Sequence, residues 1–211
     1  MRFSMLRGFA AVLAVLVLAV LAAPLVQAQP LVDGITVGVG ISSYHGDLDW
    51  NPDNGPAEFL ASGNLGAFVA ADRSFGPFVM EGALHYKRIG IDFPGAEMTL
   101  NMVGLDLTSG PSIDLFRPGL FRFYAGISPT VVLTNYDGVD EAQLAGYEFD
   151  EQPVRFLVAF PVGLVIQDVL RIGVRVTPTD NFDSVSGLTN DVDFLTSISV
   201  GYRFDLLKPS R

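Results

Sequence analysis

The chain has 211 residues, of which 49% are hydrophobic and 17% are charged, and its formal net charge is −10. This composition excludes a disordered tail, and the absence of cysteine excludes a disulfide framework or a cysteine-built metal site. The acidic balance argues against a nucleic-acid partner, because such proteins need a basic surface that displaces the counterions of phosphate.

The first thirty residues have the features of a secretory signal peptide. Two arginines precede an uninterrupted apolar run at residues 9–23, and a Val-Gln-Ala sequence that suits signal peptidase ends at Ala28. As a helix this run would span only about 22 Å, less than the roughly 30 Å hydrocarbon core of a bilayer. We therefore predict a cleavable signal peptide at 1–28 and an exported domain at 29–211.

From residue 29 onward the chain is patterned for β-strands. Apolar and polar residues alternate in runs of about ten to fourteen, which places one kind on each face of a strand. In the run 120–134, Phe121 and Val131 share one face, and Tyr124 and Thr130 share the other. The pattern predicts eight strands, at 35–46, 64–75, 78–91, 99–114, 120–134, 154–166, 170–179 and 192–206.

The predicted connections between these strands alternate in length. Short turns follow the second, fourth and sixth strands, and longer loops are predicted at 47–63, 92–98, 135–153 and 180–191. Short turns at one end and long loops at the other are typical of outer-membrane barrels. The sequence therefore predicts an all-β fold, an eight-stranded antiparallel transmembrane up-and-down β-barrel whose long loops face outward.

The polar face of the strands favours a membrane barrel over a soluble barrel or a sandwich. A solvated face would carry many lysines and glutamates, but small residues such as Gly40, Gly104 and Ser128 predominate here. Eight strands leave an interior just wide enough for side chains, so the few charges on this face must pair with each other or with water. The predicted polar network of the lumen consists of Asp72, Glu81, His85, Lys87, Asp106, Arg122, Arg155, Arg171, Arg175 and Arg203.

The last strand resembles a known assembly signal. Ser199, Gly201, Phe204 and Leu206 are spaced like the terminal-strand signal that the barrel assembly machinery reads. The exported part of the chain resembles the small OmpA-like eight-stranded outer-membrane barrels, and residues 40–48 are similar to the opening strand of PorG-like barrels of Bacteroidota. The resemblance implies a location in the cell outer membrane of a Gram-negative bacterium, with membrane lipids and the assembly machinery as partners.

Two segments suggest chemistry, but neither pattern is complete. Asp47 and Glu58 have the spacing of EF-hand ligands, yet Pro52 occupies the position where that loop needs glycine. His45 lies near serines and an aspartate, but the residue two positions after it is an aspartate, so it does not form the His-x-Ser pattern of the lipid A deacylase barrels. We therefore predict no catalytic residue, no metal site and no cofactor.

These features together predict a non-enzymatic outer-membrane barrel with a structural or interaction role. Its lumen would be filled, and its acidic outer loops would contact envelope or surface partners; the loop at 135–153 alone contains six acidic residues and no basic one. Three alternatives stay open: a component of a secretion or surface-assembly complex similar to the type IX system, a narrow pore, and a periplasmic lipocalin-like carrier.

Overall fold

The computed structural model describes residues 31–45, 64–93, 96–138, 153–179 and 194–206. In these ranges every regular element is a β-strand, and no helix is long and apolar enough to cross a membrane. The strands are β1 (Gly34–His45), β2 (Leu65–Phe75), β3 (Phe78–Phe93), β4 (Ala96–Leu115), β5 (Phe121–Ala125), β6 (Ser128–Asp137), β7 (Val154–Ile166), β8 (Leu170–Pro178) and β9 (Phe194–Asp205). The predicted signal peptide and the segment from Asp47 to Glu58 lie outside the described residues.

Strands β5 and β6 together occupy one strand position in the wall of the barrel, and we call each such position a stave. Both pair with β4 and with β7, and the register does not change between them: Tyr124 lies opposite Ser112, and Thr130 lies opposite Asp106. The residues between the two strands keep this register, because Ile127 bridges to Ser109. The strand predicted at 120–134 is therefore confirmed, and nine named strands form eight staves.

The sheet closes into a barrel through its first and last strands. Every described pairing is antiparallel, and β1 contacts β2 on one side and β9 on the other, from Gly34↔Asp205 to His45↔Phe194. Closure removes the free edges of the sheet, so the backbone groups of the ladder bond within the protein. The predicted eight-stranded antiparallel barrel is confirmed.

The outer surface of the barrel is apolar. Val37, Leu107, Val158 and Val200 point outward and are about half exposed, whereas the polar residues that alternate with them point into the lumen. From Phe194 to Phe204 the outward residues of β9 span about 33 Å along the strand, or about 25 Å after the usual tilt, which is the height of the apolar band of an outer-membrane barrel. A soluble barrel would turn these residues inward, so the lipocalin-like alternative is wrong.

Aromatic side chains are frequent on this surface, and several of them lie near the ends of the strands. Such residues are typical of the membrane–water interface, where an amphipathic or bulky ring sits at the level of the lipid headgroups. The exposed aromatic residues of the strands are Phe75, Phe78, Tyr86, Phe123, Phe156, Phe160, Phe194, Tyr202 and Phe204.

The hairpin of β3 and β4 is longer than the sequence predicts. Its ladder continues to Phe93↔Ala96, so the loop predicted at 92–98 is wrong, and residues 94–95 alone connect the strands. The hairpin extends beyond the neighbouring strands, whose described pairing with it stops at Gly66 and Asp137. Pro94 and its acidic neighbours favour a loop locally, but pairing along the hairpin outweighs that preference.

Candidate functional site in the barrel lumen

The barrel has two ends, which we name by their connections. At the turn end, β2 meets β3 at Phe75↔Phe78, and β7 meets β8 at Ile166↔Leu170. The tight β2–β3 turn needs Gly76, whose φ of 61° is unfavourable for other residues. At the loop end, β1 stops at His45. The lumen between the two ends is lined by inward side chains of all eight staves.

The first cross-strand ion pair lies at the turn end. Arg203 on β9 donates from Nε to Oδ1 of Asp72 on β2 at 2.9 Å, and from Nη2 to Oδ2 at 2.7 Å. The pair reaches across β1, where Gly34 leaves the space: a Cβ at this position would lie 2.4 Å from the guanidinium carbon. Both side chains are buried, so the bidentate geometry compensates two charges that water cannot reach.

The second ion pair crosses the lumen itself. Two nitrogens of Arg171 on β8 donate to the two carboxylate oxygens of Glu81 on β3, strands that are not neighbours in the sheet. The Nε of Arg171 also donates to the Tyr124 hydroxyl at 2.8 Å, and its guanidinium carbon lies 5.0 Å from the Tyr124 ring centroid. Gly163 makes room for that ring, since a Cβ there would lie 2.3 Å from it. This cluster joins opposite walls of the barrel.

A third cluster surrounds Asp106 on β4. Its carboxylate accepts hydrogen bonds from Thr130 Oγ1 at 2.6 Å and from Arg175 Nη1, and it lies 3.0 Å from His85 Nδ1. Because an ionised carboxylate only accepts, the contact assigns the proton of His85 to Nδ1. Gly104 provides the space for the imidazole, whose Cε1 lies 2.4 Å from where a Cβ would be.

Lys87 lies toward the loop end of this cluster and is the first member of a chain of hydrogen bonds. Its Nζ donates to Ser197 Oγ at 2.9 Å, and that oxygen lies 2.9 Å from Ser42 Oγ. Lys87 is 8% exposed and Ser42 is 3% exposed. The sequence indicated the cation but not its neutral partners, because hydroxyls on other strands carry no signal of their own.

The remaining two arginines of the predicted network are Arg122 and Arg155. Arg122 is at the turn end and contacts Asp114 at 3.2 Å and Asp168 at 3.7 Å, with all three side chains partly exposed. Arg155 is buried on β7, where it lies opposite Val132. The register of β4 and β5, which places Asp114 opposite Arg122, is the signal that could have identified this rim pair.

The loop end of the lumen is closed by apolar side chains, most of which the sequence analysis did not assign to the interior. We call this set the apolar layer. Each of its members is at most 4% exposed. It consists of Tyr44, Ile89, Leu100, Met102, Tyr136 and Leu195.

A small cavity lies between the apolar layer and the ion pairs at the turn end. Its volume is about 70 Å³, and its wall includes Ser42, Lys87, Arg171, Arg175 and Ser197. Pockets for drug-sized ligands are about 300–1,000 Å³, whereas one water needs about 10–15 Å³ of such volume. The cavity can therefore hold a few water-sized species and no larger organic ligand.

The residues of the predicted assembly signal lie on and just after β9. Ser199 lines the cavity and Gly201 faces the lumen, while Tyr202 and Phe204 point outward with their rings 4.7 Å apart in a T-shaped contact. Leu206 follows the strand, and its backbone N–H donates to the carbonyl of Asp33 at 2.9 Å. The outward aromatic pair thus lies next to the seam at which β9 meets β1.

The described residues contain no group of three or more His, Asp or Glu side chains that could hold a metal ion. His45 pairs through its backbone with Phe194, and its side chain lies outside the described part of the structure. The clusters in the lumen are engaged in ion pairs and hydrogen bonds across the barrel, which is an arrangement that holds walls together.

No family model matches the chain, and no curated protein matches its sequence. Solved structures of similar fold include Ail of Yersinia pestis in complex with the heparin analogue sucrose octasulfate, at 14% identity and a TM-score of 0.45, covering 81% of this chain and 97% of that one. Neisserial surface protein A has 14% identity and a TM-score of 0.46, with 82% and 96% covered. The outer membrane enzyme PagL has 12% identity and a TM-score of 0.39, with 82% and 99% covered.

At these identities the likeness concerns the barrel architecture and nothing finer. The small eight-stranded barrel that the sequence predicted is the architecture that the chain has. The likeness of its opening strand to PorG-like barrels stays a prediction.

Proposed function

We propose that the protein is a non-enzymatic barrel of the outer membrane of a Gram-negative bacterium, with a structural or interaction role. The observation that carries this proposal is the combination of an apolar outer band with a lumen bridged by the Glu81–Arg171 ion pair. Because this band is apolar, it is stable in contact with the hydrocarbon of a lipid bilayer. The Glu81–Arg171 ion pair links opposite walls, so the interior stabilises the barrel. We therefore place the functional surface outside the lumen, at the loop end.

The lumen is closed at both ends, by two ion pairs and by the apolar layer. Asp72–Arg203 and Glu81–Arg171 lie toward the turn end, and the apolar layer fills the loop end. Moving ions through this interior would require breaking buried, bidentate contacts and separating packed apolar side chains. These contacts favour a closed scaffold over the narrow-pore alternative.

The segments that leave the loop end carry most of the uncompensated acidic charge of the chain. Residues 139–152 contain five acidic residues and no basic one, and residues 46–63 contain four acidic residues and no basic one. A negative surface of this kind favours partners with complementary charge and increases their rate of encounter. The envelope or surface partners of the protein would therefore be recognised here.

Export and insertion follow from the same proposal. Residues 1–28 would direct export and be removed, and Ser199, Gly201, Phe204 and Leu206 would be read by the barrel assembly machinery. The mass of the protein purified from the outer membrane should correspond to a chain that starts at Gln29. Phe204→Ala should lower the amount assembled in the membrane more than Phe156→Ala, which removes an exposed aromatic residue from another strand.

Conductance measurements test the closed lumen. We expect the purified protein to give no stepwise currents in a planar bilayer in which a general porin gives them. Reproducible unit currents whose size changes in Glu81→Gln would show an ion path through the lumen and would contradict the closed scaffold.

Site-specific cross-linking in cells tests the interaction role. A photo-reactive residue at Gln143, in an acidic segment, should capture a partner, whereas one at the exposed turn-end residue Arg117 should not. Converting the five acids of 139–152 to amides should abolish the Gln143 product and leave the barrel folded. Capture from Arg117 alone would favour the alternative of a secretion or surface-assembly complex that acts from the periplasmic side.

A further inference from the structure

The cavity in the lumen carries more positive than negative charge. Lys87, Arg171 and Arg175 line it, and the described carboxylates in its wall are those of Glu81 and Asp106. His85 also lines the cavity, and in its neutral form it adds no charge. Three cations against two carboxylates leave one positive charge uncompensated within a closed sheet.

The contacts of the carboxylates assign this surplus charge to Lys87. Glu81 is bonded by two nitrogens of Arg171, and Asp106 is bonded by Arg175, Thr130 and His85. The Lys87 ammonium donates to a neutral hydroxyl, that of Ser197, and it forms no ion pair with any carboxylate of the described residues. A buried ammonium is strongly destabilising unless a counter-charge accompanies it.

The wall next to Lys87 offers more hydrogen-bond donors than acceptors. An ammonium has three N–H donors, and one of them is directed to Ser197. Ser42 and Ser197 share a hydrogen bond 2.9 Å long, which uses one of their two hydroxyl protons and leaves the other to be directed elsewhere. Both serines line the cavity. This wall therefore suits a species that accepts hydrogen bonds and carries a negative charge.

We propose that the cavity binds one small monovalent inorganic anion of the size of chloride, held by the Lys87 ammonium and the Ser42–Ser197 hydroxyl pair. One such anion balances the charge of the cavity wall. The volume of about 70 Å³ admits a halide with a few waters and excludes organic anions as large as gluconate. The anion is a structural ion that binds the folded barrel.

The test measures folding as a function of chloride concentration. The full exported chain is refolded from urea into detergent micelles in mixtures of sodium chloride and sodium gluconate at constant ionic strength, because gluconate is too large for the cavity. An ion that binds the folded state alone raises the folding equilibrium constant about tenfold for each tenfold rise in its concentration above its dissociation constant. We expect this slope for the wild type, and bromide should replace chloride.

Three variants locate the effect. Lys87→Met should lose the chloride dependence, and Ser42→Ala, a smaller change that serves if Lys87→Met does not fold, should weaken it. Arg88→Met removes an exposed cation next to Lys87 on the opposite face of β3 and should keep the wild-type slope. Identical unfolding curves in chloride and gluconate would mean that the cavity holds water alone and would overturn the proposal. An equal slope in Ser42→Ala, in Lys87→Met where it folds, and in the wild type would do the same, because the anion effect would then arise elsewhere.

Discussion

The two ends of the lumen are closed by different kinds of interaction. The turn end is held by bidentate ion pairs such as Glu81–Arg171, whereas the loop end is filled by apolar side chains such as Leu100 and Leu195. An ion pair needs both partners, since the loss of one leaves a buried charge, while an apolar layer depends on volume and tolerates similar shapes. One closed sheet thus combines a charge-paired region of the lumen with one that is filled mainly by apolar side chains.

The largest effect is expected when one partner of the cross-lumen pair is removed. Glu81→Ala leaves the guanidinium of Arg171 buried without its carboxylate, so the free energy of unfolding should fall by about 3–5 kcal/mol. A urea titration that monitors the fluorescence of tryptophan and tyrosine measures this loss. The double variant Glu81→Gln/Arg171→Met removes both charges and should recover most of it. An unchanged midpoint in Glu81→Ala would show that the pair does not support the barrel.

The apolar layer should respond to lost volume. Leu100→Ala leaves a cavity in a fully buried position and should lower the free energy of unfolding by about 2–5 kcal/mol. Leu100→Met nearly conserves volume and should cost less than about 1.5 kcal/mol. Equal losses in the two variants would contradict a closure that depends on packing, and the same urea titration compares them.

A charge on the outer face sharpens the contrast between lumen and lipid. Val200 points outward near the middle of β9. Val200→Arg should therefore destabilise the inserted, folded barrel by about 2–4 kcal/mol in lipid vesicles. Val200→Leu should have little effect because it keeps the surface apolar. If Val200→Arg folds as well as Val200→Leu, then this face does not contact hydrocarbon.

The smallest effect is expected at the rim. Arg122 makes its contacts with Asp114 and Asp168 where all three are partly exposed to solvent, so Arg122→Ala should cost less than about 1 kcal/mol. The same titration, run beside Glu81→Ala, gives the contrast directly. A loss at Arg122 as large as that at Glu81 would mean that the turn end is a single coupled network.

The faces of the strands could be predicted from the sequence because alternation fixes them. Residues 128–137 alternate between buried and exposed without exception, as the pattern requires. The apolar layer was missed because the alternation along β4 reverses its phase: Leu100 and Met102 face the lumen with polar Asn101 between them on the outer face, whereas farther along the strand Val103 and Leu105 face lipid. Periodicity alone shows that one face of a strand is apolar, but it does not show whether that face points to lipid or to the lumen.

The charged residues could be predicted, but their pairing could not. Arg203 reaches Asp72 across β1, and Arg171 reaches Glu81 across the lumen. Which cation meets which carboxylate depends on strand tilt and register around the closed barrel, and these appear only in three dimensions. The long β3–β4 hairpin escaped prediction because Pro94 and nearby acids favour a loop in any local view.

The central claim is that the barrel is closed, with apolar side chains toward lipid and paired charges inside. Gel mobility of the outer-membrane fraction, with and without boiling, tests it most directly, since a closed membrane barrel resists detergent until it is heated. We expect the unheated protein to migrate differently from the boiled protein and to be found in the outer-membrane fraction. Identical migration in the two samples, with the protein recovered in the soluble periplasm, would contradict the account.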